Sequence, residues 1–133
     1  MLLTRRGRPR PEALEASVLY GEDGRPIAWV AADRAICLFD GTPVAWISRT
    51  GDVHAWGGLY VGWFQDGTIW DREGRCALFS DSSRGGPPKP VLQPEPAREV
   101  KRRTLERGSP EPPTTRPRRR EEWSDVTDEG FFS

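Results

Sequence analysis

Between residues 18 and 80, short apolar runs alternate with polar, glycine-bearing breaks. Within each run the side chains alternate as well. Ile27/Trp29, Val44/Trp46, Val61/Trp63 and Ala77/Phe79 fall on one parity, and Ala28/Val30, Ala45/Ile47, Gly62/Phe64 and Leu78/Ser80 on the other. A period of two predicts strands. Both parities are largely apolar, which predicts strands covered on both faces, as in a small closed barrel or ring. Four breaks are marked by Gly24, Gly41, Gly58 and Gly74, spaced 17, 17 and 16 residues apart, with Asp-Gly in the first two and Gly-Gly in the third. These pairs supply the positive φ that hairpin turns require. A second set of breaks carries Gly51 and Gly67, with Asp33-Arg34-Ala35 as a version lacking glycine, and Ile36, Val53 and Ile69 restart the chain after them. Eight strands in four hairpins are predicted.

The repeat extends to the large rings. Each turn is preceded by an aromatic residue (Tyr20, Phe39, Trp56, Trp70) and followed by another (Trp29, Trp46, Trp63, Phe79), at spacings of nine, seven, seven and nine residues. Since a slip of one residue would turn every side chain to the other face, the difference of two reads as turns lengthened in units one and four, with the tryptophans kept in place. Pro26 and Pro43 stand at strand starts, where no ladder hydrogen bond is lost. Ala28, Ala45 and Gly62 recur two positions later, and small side chains at one place suggest convergence near an axis; Leu78 breaks that rule. The sequence leaves open whether the tryptophans or the small residues face the centre.

Composition divides the chain of 133 residues. Nine of thirteen prolines follow Arg84, and five of six tryptophans lie from Trp29 to Trp70. The division predicts a flexible basic segment over 1–14, a four-repeat β-hairpin domain over 15–82, and a disordered Pro/Arg-rich tail over 83–133, partly polyproline in character. A short helix between Pro96 and Arg107, with Glu99 and Arg103 one turn apart, is the one element the tail offers. A net charge of zero conceals +3 over 1–14, −5 over 15–82 and +2 over 83–133. Nucleic acid is therefore not expected on the acidic repeat region, and contact with a polyanion or a membrane surface would fall to Arg5, Arg6, Arg8 and Arg10 or to Arg116, Arg118, Arg119 and Arg120. Cys37 and Cys76 occupy different repeat positions and read as unpaired thiols in a reducing compartment. With no apolar leader after the first basic residues, a cytoplasmic monomer is expected. The preference for Arg over Lys, 18 to 2, fits a GC-rich bacterial genome.

Catalytic chemistry is hard to find. His54 is the only histidine and reads as a strand residue, while Asp40, Asp66 and Asp71 lie in or beside glycine turns, where Asp bonds its own backbone. No nucleophile elbow, phosphate loop or metal-ligand cluster occurs, so no catalytic residue, metal or cofactor is expected. The rings are the remaining candidates. Trp29, Trp46, Trp63, Phe79, Trp56 and Trp70 could line a surface for an apolar ligand or a peptide, and Trp123, Phe131 and Phe132 in the acidic terminus read as a docking motif for a partner protein.

Taken together, the four units (aromatic, Asp, glycine turn, and Arg-Pro-Ile-Ala-Trp in the first) resemble the four-fold β-flower proteins over about residues 17–80, with Cys76 and Leu78 fitting least well. The resemblance implies a shallow, pseudo-symmetric ring of β-hairpins and brings no catalytic residues. It also carries a fold analogy to membrane-associated tubby-like proteins. The expected function is a non-enzymatic binding or scaffold module; the competing expectation is association with a membrane surface or nucleic acid through the basic ends.

Overall fold

The computed structural model describes residues 17–102 and 106–133; the N-terminal arginines expected to form a basic arm lie outside them. Eight strands follow the predicted hairpins: β1 (Val18–Tyr20), β2 (Pro26–Val30), β3 (Ala35–Leu38), β4 (Pro43–Ile47), β5 (Asp52–Ala55), β6 (Tyr60–Gln65), β7 (Thr68–Asp71) and β8 (Cys76–Phe79). All neighbours pair antiparallel, and Tyr20 of β1 pairs with Phe79 of β8 to close the barrel. Closure leaves no unpaired edge.

The four hairpins are copies of one another. In each, the turn glycine has φ between 82° and 110° and its N–H donates to the carbonyl three residues earlier: Gly24 to Gly21, Gly41 to Leu38, Gly58 to Ala55, Gly74 to Asp71. The turns are thus of equal length, which corrects the reading of lengthened turns in units one and four. What varies is the residue four places before the glycine. It is Tyr20, Cys37, His54 and Trp70 in turn, so Phe39 and Trp56 are turn residues while Tyr20 and Trp70 are strand residues. Among the inter-unit turns, Arg34 takes the left-handed conformation (φ 71°) that Gly51 takes in the next repeat.

A second correction concerns the strict alternation after each turn. Every hairpin carries a bulge at the same place: Leu19 faces Ala28 but Tyr20 faces Pro26, leaving Ile27 as an extra residue, and Val44, Val61 and Ala77 are its counterparts. A bulge resets the pleat. Ile27, Val61 and Ala77 consequently pack in one buried cluster with Ala28, Ala45, Val30, Ile47 and Leu78, instead of sharing a face with the tryptophans. Trp63, Trp70 and Phe79 belong to a separate cluster with Cys76. The small and aliphatic residues therefore fill the lumen and the large rings stand outside. The interior of an eight-strand barrel is just wide enough for side chains to fill it, and here mostly small and aliphatic ones do so, with Phe132 added from the chain end.

The tail also departs from expectation. Residues 84–128 contain no strand or helix among the described positions, apart from a parallel bridge from Trp123 to Cys76, and the helix considered between Pro96 and Arg107 is absent from its described part. Yet the segment is not detached. Its described residues wrap the barrel as an extended strap and end in a 3-10 helix, Glu129–Phe132, whose Phe132 is buried in the lumen cluster. Nine prolines already restrict the unfolded chain and so lower the entropy cost of ordering it.

Candidate functional site

The outward rings meet at the four seams between hairpins. Trp29 pairs with Cys37, Trp46 with His54, Trp63 with Trp70, and Phe79 with Tyr20. Each pair joins the ring after one turn to the residue four before the next turn glycine. A belt results. Trp63 and Trp70 are 1% and 0% exposed, whereas Trp29 and Trp56 remain half-buried. His54 is buried, stacked on Trp46 (centroids 5.2 Å apart, planes 17°) and tilted against Tyr60. His54 therefore serves as one ring of this belt.

What buries the belt is the strap, and it does so with a period of nine. Lys89 lies over Phe79 (5.8 Å to the centroid), Arg98 over Trp29 (5.0 Å), Arg107 over Trp46 (4.4 Å) and Arg116 over Trp63 (5.6 Å). Each cation faces the negative π surface of a ring partly removed from water, an arrangement worth about 0.5–2 kcal/mol. Two residues after each cation, the carbonyls of Val91, Val100, Ser109 and Arg118 sit against Gly24, Gly41, Gly58 and Gly74, where a Cβ would collide with them. Two residues further, the N–H groups of Gln93, Arg102, Glu111 and Arg120 donate to those same glycines' carbonyls at 2.8–2.9 Å. A fifth step places the Thr127 carbonyl on Gly21, back at the first hairpin.

Position-specific contacts complete the docking. Glu99 and Gly108 donate their N–H groups to Phe39 and Trp56, at 2.9 and 2.8 Å, while the corresponding strap positions at units one and four are Pro90 and Pro117, which have none to give. Where β2 and β4 begin with proline, β6 and β8 begin with Tyr60 and Cys76. The strap caps the N–H groups so exposed, through the Glu111 carboxylate (2.9 Å) and the Glu122 carbonyl (2.9 Å). Glu111 also accepts, at its own carbonyl, a hydrogen bond from His54 Nε2–H at 2.8 Å, and Nδ1 has no hydrogen-bond partner among the described residues. At the opposite rim, strap cations reach the inter-unit turns: Lys101 pairs with Asp33, Arg116 with Asp52 (3.0 Å) and Arg119 with Asp66 (2.6 Å) while lying over Trp70. Burial works to raise the Asp33 carboxyl, but hydrogen bonds from Lys101 and the Ala35 N–H outweigh it and hold the group below its ordinary range. Of the turn aspartates, Asp40 and Asp71 accept backbone N–H groups two residues on, as read from sequence.

The three terminal aromatics are taken up by their own ring. Trp123 packs on Phe79 (5.8 Å) beside Cys76, and Phe131 packs with Phe132 against the lumen cluster. Burial pushes the Cys76 thiol up to about 12, so it stays protonated under the strap; Cys37 is buried and also shifted upward. Beside Phe131, a shallow groove of ≈ 370 Å³ runs between Leu59, Tyr60 and Val61 and the fourth turn. Among the described residues, no group of three or more His, Cys, Asp or Glu could hold a metal ion, and no helix is long and apolar enough to cross a membrane. The nine-residue period was visible in the sequence as Lys89, Arg98, Arg107 and Arg116. It was masked by unrelated residues between them and by the extra arginines at 102, 103 and 118–120.

No curated protein and no solved structure matches the chain. The family model of the 4-fold beta flower proteins matches residues 17–132, and so takes in the strap as well as the hairpins. With four equivalent hairpins closed into a barrel and that match running through both parts, the chain belongs to the 4-fold beta flower protein family.

Proposed function

We propose that this protein is a non-enzymatic binding scaffold, a rigid ring whose outer aromatic belt clasps an extended polypeptide, the occupant being its own C-terminal strap. The observation that carries this reading is the repetition of one contact set (cation on ring, carbonyl on glycine, N–H to glycine carbonyl) at four successive hairpins. A lumen filled mostly with aliphatic side chains, rings covered by strap cations and turn glycines met by strap carbonyls favour a peptide over a small apolar ligand on this belt. The basic residues that would otherwise support membrane or nucleic-acid association count against that role, since Arg116 and Arg119 are engaged with carboxylates and rings. Two buried thiols fit a protein kept in a reducing, cytoplasmic setting.

Hydrogen–deuterium exchange on the full chain tests this. The amides of Gln93, Arg102, Glu111 and Arg120 should be protected as a set, and Arg98→Ala with Arg107→Ala should speed their exchange while the lumen strands stay protected. Free exchange of those four amides in the unmodified protein would remove the reading.

A further inference from the structure

The repeated contacts define what kind of polypeptide the belt can hold, and from them we infer that the ring reads extended segments in trans by a nine-residue rule. This rests on the clasping function proposed above. The ligand is a partner protein's extended, proline-containing segment with Arg or Lys at every ninth residue and a free N–H four residues after each cation.

Each clause of the rule has a physical source. The cation must recur at nine because the rings it covers, Phe79, Trp29, Trp46 and Trp63, are fixed one per seam by the closed barrel. Nine extended residues reach about 28 Å at about 3.1 Å each, whereas nine helical residues would reach about 14 Å. The described residues between the cations form no helix, so the spacing of nine belongs to extended chain. The fourth residue after each cation (Gln93, Arg102, Glu111, Arg120) is never proline, and its N–H is the group given to the turn glycine. Prolines occupy other positions: Pro110 three after a cation, and Pro94 and Pro112 five after, where the ring takes no N–H, and Pro90 and Pro117 one after, where the ring takes an N–H at the middle two steps alone, from Glu99 and Gly108. Side chains at the carbonyl position differ freely (Val91, Val100, Ser109, Arg118), since only backbone meets the glycine there. The site thus reads charge spacing and backbone donors and tolerates most side chains, which is the specificity of a clamp for a class of segments.

In cis the strap competes at high effective concentration, so the test removes that advantage and keeps every residue. A specific protease site is placed between Pro88 and Lys89 of the full chain, the chain is cut, and labelled synthetic peptides spanning residues 89–133 are exchanged into it. Three peptides are compared: the native order, a composition-matched peptide in which Arg98 and Arg107 trade places with Ala97 and Glu106, and one carrying Arg102→Pro and Glu111→Pro. The native peptide should enter with an affinity on the order of tenfold tighter than either altered one, because two repeated contacts are lost in each. Equal binding of native and reordered peptides, or no exchange of any peptide into the cut chain, overturns the inference. Exchange protection of the strap in the uncut protein is measured alongside. If that protection holds while the peptides are not distinguished, the rule fails and the clasping function stands; if it is missing, the clasping function itself fails.

Discussion

At the scale of single residues, the turn glycines carry two requirements at once. Gly41 has φ 91° and its Cα lies against the Val100 carbonyl. An alanine there would adopt a left-handed conformation, costing about 1–2 kcal/mol, and its methyl group would force the strap away. Gly41→Ala should therefore lower the melting temperature and also speed exchange of the Arg102 amide, whereas a substitution that only strained the turn would leave that amide protected. Cys76 offers a second readout. Its N–H and carbonyl are taken by Glu122 and Ser124 of the strap, at 2.9 and 2.8 Å, and burial holds its thiol protonated. Only the thiolate reacts with alkylating agents, so Cys76 should label very slowly in the native chain. Trp123→Ala, which thins the cover over Phe79 and Cys76, should raise the rate several-fold at constant pH. An unchanged rate would mean that access to the thiol does not pass through the strap.

At the scale of elements, the hairpins were legible because their signal is local. Glycine spacing, strand length and the number of strands follow from period-two runs and turn chemistry, and these decide backbone pairing directly. Which face of each strand lies inside was not legible. The bulges at Ile27, Val44, Val61 and Ala77 exchange one parity for the other within a single residue, and nothing in an apolar run of five marks which residue is extra. The candidate rings Trp29, Trp46, Trp63, Phe79, Trp56 and Trp70 do fall on one continuous structure, but what covers them is set by tertiary contacts with residues tens of positions away. Their burial differs enough to be tested. Trp63 is 1% exposed beneath Arg116, so Trp63→Ala should cost roughly 3–5 kcal/mol in chemical denaturation. Trp29 is half-buried with its Nε1–H unpaired among the described residues, and Trp29→Ala should cost about half as much. Equal costs would mean that the two rings are buried alike in solution, against the difference in their exposure here.

At the scale of the whole molecule, the strap converts four similar hairpins into one object, because it contacts them in chain order and then returns to the first. Each step lies over a different seam, so contributions of steps that share no ring should be nearly additive. Chains ending after residues 124, 115, 106, 97 and 88 would lose, in order, the Phe131–Phe132 plug and then one nine-residue step at a time. The first truncation removes a side chain buried in the lumen cluster and should cause the largest single loss. The second, to residue 115, removes two cations over rings, Arg116 and Arg119, together with Trp123 from Phe79; each later one removes one cation over a ring and at least one backbone hydrogen bond, a gross loss of about 1–3 kcal/mol that is partly offset by the freed chain entropy. Denaturation of the series should accordingly show two large losses followed by a staircase of small, similar decrements. It should be accompanied by rising tryptophan exposure in the order Trp63, Trp46, Trp29. A single collapse at the first truncation, with the remaining chains alike, would instead mean that the strap docks all or none and that the terminal plug holds the rest in place.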